Sequence, residues 1–320
     1  MASEPIRIAL VGAGRMGQVH LGALRQSDAI ELAGVVEPVA RTRAELAVRG
    51  VPTYSTVDEL LERDRPEGVL IAAPSDQHPA LVARFAAAGV PMLCEKPLGI
   101  RAEQSLAAAR AAAEAGVLLQ VGYWRRFVPE LRALRERIRA GELGEISQLS
   151  CMQWDEQPPS EQFRAHSGGI AVDMGVHEFD QTRWLLGQEF EWMAAAHAGP
   201  NSEARDPADP DSATLLAQLS SGASATISLG RRFPHADSCW LEVWGTDGYE
   251  RVTFMWDTAG DEVFRQSMQR QAEAFARALR GAECEGADGA DAYAALSAAE
   301  LAAAALASGS HVRAQVAVQG

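Results

Sequence analysis

Residues 6–17 read IRIALVGAGRMG, and few stretches leave a chain so little choice of fold. A continuous apolar run passes directly into three glycines, Gly12, Gly14 and Gly17, in G-x-G-x-x-G spacing. The run predicts a strand and the following residues predict a helix, so the glycines fall at a strand-to-helix turn. Each has its own task there: Gly12 permits the tight turn, Gly14 the close approach of a pyrophosphate, and Gly17 the packing of helix on strand. Backbone N–H groups at the helix start then face phosphate oxygens. An acid is expected about 20 residues further on, at the end of the second strand. Glu37, in GVVEP, stands there. Its carboxylate would accept hydrogen bonds from ribose hydroxyls and repel a 2'-phosphate, so NAD is expected rather than NADP. Arg41 and Arg43 follow closely and offer charge to such a phosphate. A glycine turn without a ligand is the competing reading; the flanking strand, helix and acid weigh against it.

The alternation continues through roughly the first 120 residues. Apolar, β-rich runs recur at IELAGVVEP, GVLIAAP, VPMLCEKP and VLLQVGYW, separated by helical stretches such as DQHPALVARFAAAG and RAEQSLAAARAAAEAG. Unbroken apolar strands separated by helices predict a parallel sheet covered on both faces, a doubly wound Rossmann arrangement. The pattern then changes. One amphipathic helix, PELRALRERIRAGELG, precedes runs of partial alternation: EISQLSCMQW, EFEWMAAAHAG, SATLLAQLSSG, ASATISLGRRF and CWLEVWGTDGYERVTFM. These predict an antiparallel or mixed sheet. NSEARDPADPDS is a polar loop, and two Ala-rich helices near 265–281 and 289–308 close the chain. The expected fold is α/β: a Rossmann domain over 1–122, then an α+β domain with a large, mostly antiparallel sheet over 123–320.

The chain has 320 residues, long for a single domain, and its 47% hydrophobic content is ample for buried cores. A formal charge of −14 argues against nucleic acid and against an anionic membrane surface as partners. The four cysteines, Cys94, Cys151, Cys239 and Cys284, form no C-x-x-C pair, so neither a zinc knuckle nor a disulfide framework is suggested. With no signal peptide or transmembrane span evident, a soluble, cytoplasmic protein is expected.

Two positions carry the candidate chemistry. Lys96 is the only lysine among 29 basic residues; the other 28 are arginine. Lysine can lose its proton at an accessible pKa and arginine effectively cannot. Lys96 ends the fifth predicted strand, just before Pro97, and ligands of doubly wound sheets bind beyond the carboxyl ends of the strands. A structural ion pair with Glu95 or another acid is the alternative. The second position is SGGIAVDMGVHEFDQTRWLLG, where Asp173, His177, Asp180 and Trp184 are spaced to share one face of a helix. Gly168 and Gly169 allow close backbone approach, and Gly187 is placed to stop the helix. Asp173 is placed to orient the His177 imidazole as a general base near neutral pH. A core histidine held by Asp173 is one alternative. Metal ligation by Asp173, His177 and Asp180 is another, but no second ligand cluster is evident and no metal is expected. The other histidines have no paired acid at helical spacing. Of these, His78 is placed to line the cofactor site, and His166 and His235 to line a pocket.

VGAGRMG, APSDQH, EKP and GGIAVDMGVHEFD together resemble the Gfo/Idh/MocA oxidoreductases, named for glucose–fructose oxidoreductase and inositol dehydrogenase. The resemblance spans nearly the full length. VGYWRRF and the Asp-x-x-x-His-x-x-Asp segment are most like the inositol 2-dehydrogenase branch. By that resemblance Lys96, Asp173 and His177 form the catalytic set. Asp180 positions substrate, with Arg125, Arg126 and Trp154 at the pocket. Arg15, Met16, Ala73, Pro74, His78 and Glu95 join the glycines and Glu37 around the cofactor. Trp124 departs from the smaller or sulfur-containing residue expected there, which leaves the sugar or cyclitol open. The implied reaction is oxidation of a ring hydroxyl of a small neutral polyol or sugar, myo-inositol or a relative, to a ketone with NAD. The implied assembly is a homodimer or homotetramer formed through the second-domain sheet. Three other activities fit the fold: a glycosidase using transient oxidation by bound NAD, a non-catalytic cofactor-sensing regulator, and a reductase or isomerase of an amino-acid or bile-pigment-like substrate.

Overall fold

The computed structural model describes residues 4–198, 209–256 and 259–314. Most of the polar loop expected at 201–212 lies outside the described residues. The early apolar runs become β1 (Ile6–Val11), β2 (Ile30–Val36), β4 (Gly68–Ile71), β5 (Met92–Cys94) and β6 (Leu119–Val121). A further strand, β3 (Thr53–Tyr54), has two residues, too few to show any period. Between them run α1 (Arg15–Gln26), α2 (Ala40–Val48), α3 (Val57–Arg63), α4 (His78–Ala87) and α5 (Ala102–Glu114).

All neighbouring strands of this six-stranded sheet are parallel, in the order β3-β2-β1-β4-β5-β6. The order reverses between β1 and β4, which is the ligand-binding switch point of such sheets. Every residue of β4 is buried, as expected for a strand covered on both faces.

The remaining elements are α6 (Pro129–Arg139), β7 (Ile146–Trp154), α7 (Glu161–Arg164), α8 (Val176–Leu186), β8 (Phe190–Ala198), β9 (Ser212–Leu219), β10 (Ser224–Gly230), β11 (Ser238–Gly245), β12 (Tyr249–Met255), α9 (Ala259–Leu279), α10 (Gly289–Ser308) and β13 (Val312–Arg313). Their sheet has seven strands in the order β12-β11-β7-β10-β9-β8-β13. Among the described residues β7 and β10 alone pair in parallel; the other pairs are antiparallel. Leu149, Cys151, Leu215, Ala217, Ile227, Leu229, Leu241 and Val243 alternate inward. Cys151 faces α8, with its Sγ 3.4 Å from Gln181 Nε2. The opposite face carries Ser150, Met152, Thr226, Trp240 and Glu242, and Leu216 at 46% exposure.

Two compact units result. The first comprises 1–99, 103–127 and 265–293; the second comprises 100–102, 128–264 and 294–320. A single division at 122/123 therefore gives way to a chain that returns to its first unit. Ala272, Phe275 and Ala276 of α9 join Ile8, Leu10, Leu70 and Leu93 in one core. Gly68 makes the return possible, since a Cβ there would lie 2.8 Å from Leu279 and 3.0 Å from Phe275. Val121 N–H then donates to Ala287 O at 2.8 Å, fastening the returning segment to the edge strand. Such pairings carry no local period, so the sequence pattern does not show them. The other closing helix, α10, is long and apolar enough to cross a membrane, but it buries Leu296, Ala299, Ala302 and Leu306 in the fold.

Phe275→Ala is expected to cost about 3–5 kcal/mol of stability, the scale for emptying a buried phenylalanine site. Urea unfolding measures it. A loss below about 1 kcal/mol, the level of a surface change, would mean that α9 is not integral to the first core.

Candidate active site

The glycine turn separates three constraints. Gly12 has φ +94°, and a Cβ on it would sit 2.7 Å from Ala72 O. Gly17 presses on the same turn, since its Cβ would lie 2.2 Å from Gly12 O. A Cβ on Gly14 would meet nothing within 4 Å. Close packing thus requires Gly12 and Gly17, while Gly14 borders open space. No acidic residue stands in the first turn of α1, so the N–H groups there keep their attraction for an anion. Arg15 is exposed and Met16 half-buried beside them. These features fit a bound pyrophosphate.

Glu37, at the end of β2, is 7% exposed. Its Oε2 accepts from Ala13 N–H at 2.9 Å, which fastens it to the glycine turn, and its Oε1 accepts from Val39 N–H at 2.9 Å. A carboxylate oxygen retains a further acceptor site beyond one such bond, so ribose hydroxyls can still be received. Arg43 Nη1 donates to the Glu37 main-chain oxygen at 2.7 Å, which ties its guanidinium to the end of β2. Arg41 is exposed and pairs with Glu45 at 3.0 Å.

Beyond β4, Ala73 and Pro74 lead into α4, which opens with His78. That ring is 1% exposed. Its Nδ1 lies 2.7 Å from Pro97 O and its Nε2 2.9 Å from Ala73 O. His78 thus joins the loop after β4 to the loop after β5. Burial lowers its pKa, against the opposing pull of the two carbonyls.

β5 delivers Glu95 and Lys96 beyond its carboxyl end. Glu95 is 6% exposed, and its Oε1 lies 2.7 Å from His20 Nε2. Its Oε2 accepts from the backbone N–H of Lys96 at 3.2 Å. Burial pushes the Glu95 pKa up, but the His20 hydrogen bond and the charges of His20, Lys96 and His78 outweigh it and hold it below the ordinary carboxylate value. Lys96 is half-buried, and its bond to Pro97 is cis. Cys94 is fully buried and its thiol is pushed up by burial, so it is no nucleophile. Beyond β6, Arg125 is 3% exposed and its guanidinium stands 5.9 Å from the ring centre of Trp124. The unexpected tryptophan is thus a platform for Arg125. Arg126 pairs with Asp291 at 2.9 Å.

In the second unit the expected single α-helix is corrected. Ala171–Gly175 forms a π turn, and the α-helix begins only at Val176. Gly175 has no room for a side chain, since a Cβ would meet the Phe179 ring at 2.8 Å. Gly168 and Gly169 have φ +80° and +82°; at Gly168 the close neighbour is the Val172 side chain rather than another backbone. Gly187 ends α8 in the left-handed region, its N–H donating to Arg183 O.

α8 buries polar residues all round: His177 is 7% exposed, Asp180 1% and Glu178 0%. Trp184 instead packs toward α6, with the Arg135 guanidinium 4.8 Å from its ring centre. Asp173 is part of a charge ladder. Its Oδ2 accepts from Arg231 Nη1 at 3.0 Å, and Arg231 Nη2 pairs with Asp209 at 3.0 Å. Asp209 accepts from Arg164 Nε at 2.6 Å, and Arg164 Nη1 reaches Asp211 at 2.8 Å. Arg231 is completely buried. Any cation placed on Asp173 competes with this guanidinium. Trp154 Nε1 donates to Ser228 Oγ at 3.0 Å, and its ring lies over Gly230, where a Cβ would come within 2.3 Å. His166 and His235 are exposed.

Sequence reasoning missed His20, Arg164, Asp209, Asp211 and Arg231. Their partners lie far along the chain, and the only local hint is that His20 and Arg231 fall among apolar neighbours.

Comparison with known proteins agrees with this geometry. Residues 6–123 match the GFO_IDH_MocA profile, described as an oxidoreductase family with an NAD-binding Rossmann fold, and residues 131–250 match a GFO/IDH/MocA C-terminal domain. The rhizopine catabolism protein MocA of Rhizobium meliloti is 50% identical over 296 residues, covering 92% of this chain and 93% of that one. Inositol 2-dehydrogenase of Rhizobium meliloti strain 1021 is 33% identical over 244 residues, covering 76% and 74%. The crystal structure of GenD2 from gentamicin A biosynthesis, in complex with NAD, aligns with TM-score 0.88 at 25% identity, covering 99% and 98%. Similarity is thus higher to the rhizopine protein than to the inositol dehydrogenase that the motifs suggest.

Glu37→Ser is expected to relax selection against NADP by about tenfold or more, since a hydrogen bond to a charged group contributes about 1.5–3 kcal/mol. Dissociation constants for the two nucleotides give the ratio. An unchanged ratio would remove Glu37 from cofactor selection.

Proposed function

The chain belongs to the Gfo/Idh/MocA oxidoreductase family, and on that premise we propose that it oxidises a secondary hydroxyl of a cyclic polyol to a ketone with NAD. The observation that carries this reading is the position of the only lysine. Lys96 follows the carboxyl end of β5, on the same parallel sheet as the glycine turn after β1, and only β4 separates those two strands. Bound nicotinamide supplies the hydride acceptor; the protein supplies position and charge. The glycine turn and Glu37 hold the dinucleotide.

In this reading, which follows the family resemblance, Lys96 is a hydrogen-bond donor to developing negative charge and His177 a general base. Asp173, fixed by Arg231, orients the imidazole, and Asp180 positions the ring. Arg125 and Trp154 border the substrate. Glu37, with Arg43 engaged at its backbone, supports NAD over NADP. The inositol dehydrogenase among the relatives supports a cyclitol or sugar substrate. The higher identity to the rhizopine protein puts a rhizopine on the same panel as myo-inositol. We place the enzyme in the cytoplasm, as a homodimer or homotetramer joined through the open face of the second sheet.

Screening cyclitols, sugars and a rhizopine with NAD, read at the NADH absorbance, tests the reaction. Lys96→Arg is expected to keep NAD affinity and lose turnover by about a hundredfold or more, the scale of a lost acid–base group. Near-normal turnover would refute the role of Lys96. Leu216→Arg, on the open face, is expected to lower the sedimenting mass while changing stability by no more than about 0.5 kcal/mol, as surface changes usually do. An assembly unchanged by that charge would exclude this part of the face as the interface.

A further inference from the structure

We infer that His20 is a positioning residue for Lys96, linking the helix that bears the glycine turn to the segment that bears the lysine through the carboxylate of Glu95. The inference rests on the reading of Lys96 given above.

His20 is completely buried in α1, beside Leu21 and Leu24. An imidazole on an apolar helix face is costly to bury unless its polar atoms are used. A leucine would pack there without that cost. The ring makes one described hydrogen bond, from Nε2 to Glu95 Oε1 at 2.7 Å; Nδ1 has no hydrogen-bond partner among the described residues. An ionised Glu95 can only accept, so the proton of this bond belongs to Nε2.

Glu95 is held on every side that matters to its neighbour. Its other oxygen accepts from the Lys96 backbone N–H at 3.2 Å, and its own N–H donates to Ile71 O at 2.8 Å. Gly122 lies flat against it: a Cβ there would come within 3.0 Å of Oε1. Past the lysine, Pro97 O meets His78 Nδ1 at 2.7 Å. The three residues Glu95-Lys96-Pro97 are thus gripped at both ends by buried imidazoles, one from α1 and one from α4.

α1 gives this grip its direction. The helix starts at the glycine turn and presents His20 three residues beyond Gly17. A ligand that orders the helix start also steadies the donor to Glu95. The lysine segment is thereby referenced to the cofactor helix and not only to its own strand. Placement errors far from a reacting atom can cost about a hundredfold in rate, so a bond of this kind has leverage on turnover.

The single lysine makes a direct test possible. Protein grown with carbon-13 at the lysine ε position gives one signal, that of Lys96. His20→Leu is expected to move that signal by more than its width and to lower kcat on the best polyol of the panel by about tenfold to a hundredfold, with KM and NAD affinity little changed. His20→Gln, whose amide reaches the same oxygen as a donor, is expected to restore both. His20→Asn, which is too short, is expected to behave like His20→Leu and stands in for it if the leucine variant does not fold. If the signal and kcat of a folded Leu or Asn variant match the wild type, the inference is overturned. So it is if Gln is as impaired as Leu or Asn. Lys96→Arg separates this failure from failure of the catalytic reading. Normal turnover in that variant refutes the role of Lys96, and the carbon signal of the His20 variants, which retain Lys96, still reports on the link. A dead Lys96→Arg beside a fully active His20→Leu refutes only the link.

Discussion

The polarity of the first sheet is the constraint on which the rest depends. Because its strands run parallel, Val11, Val36, Ile71, Cys94 and Val121 all end on one edge. The residues that follow those ends are Gly12, Glu37, Ala72, Glu95 and Gly122. Each is engaged by a neighbour from another strand end: Glu37 by Ala13, Gly12 against Ala72, Glu95 against Gly122. Reversing one strand would break this set without changing a single side chain. The chemistry of the first unit is therefore a consequence of sheet direction, and the individual residues refine it.

Both units bury charge, and neither does so cheaply. A buried ion pair recovers its desolvation cost only with good geometry and further hydrogen bonds, and apolar replacements are often as stable. Stability alone does not explain a wholly buried Arg231 between two aspartates, or His20 against Glu95. Each arrangement fixes a carboxylate beside a residue that family resemblance places in catalysis. The ladder from Arg164 to Asp173 also spans four separate stretches of chain, which makes the position of Asp173 a property of the whole second unit.

What the sequence made legible was local. Strand runs, the glycine turn, Glu37 at a strand end and the left-handed Gly187 all follow from patterns within a few residues, where backbone geometry and burial period act directly. The rest depends on distant partners. His20 meets an acid 75 residues away, and Arg231 meets one 58 residues away. Phe275 enters a core begun at Ile6. The π turn was invisible for another reason: Asp173 and His177 keep a helical spacing in sequence whichever turn the backbone takes.

The contrast between arginine and lysine closes the physical picture. Arginine forms the described ladder because a guanidinium cannot give up its proton and holds two carboxylates in a fixed plane. Asp173 Oδ2 thereby accepts from a cation that keeps its charge, Arg231. Among 29 lysines and arginines only Lys96 can give up its proton at an accessible pKa. Its backbone N–H is held by the buried acid Glu95, which is gripped in turn by an imidazole. A chain otherwise built on permanent cations thus keeps its one removable cationic proton at the sheet edge where ligands of this fold are received.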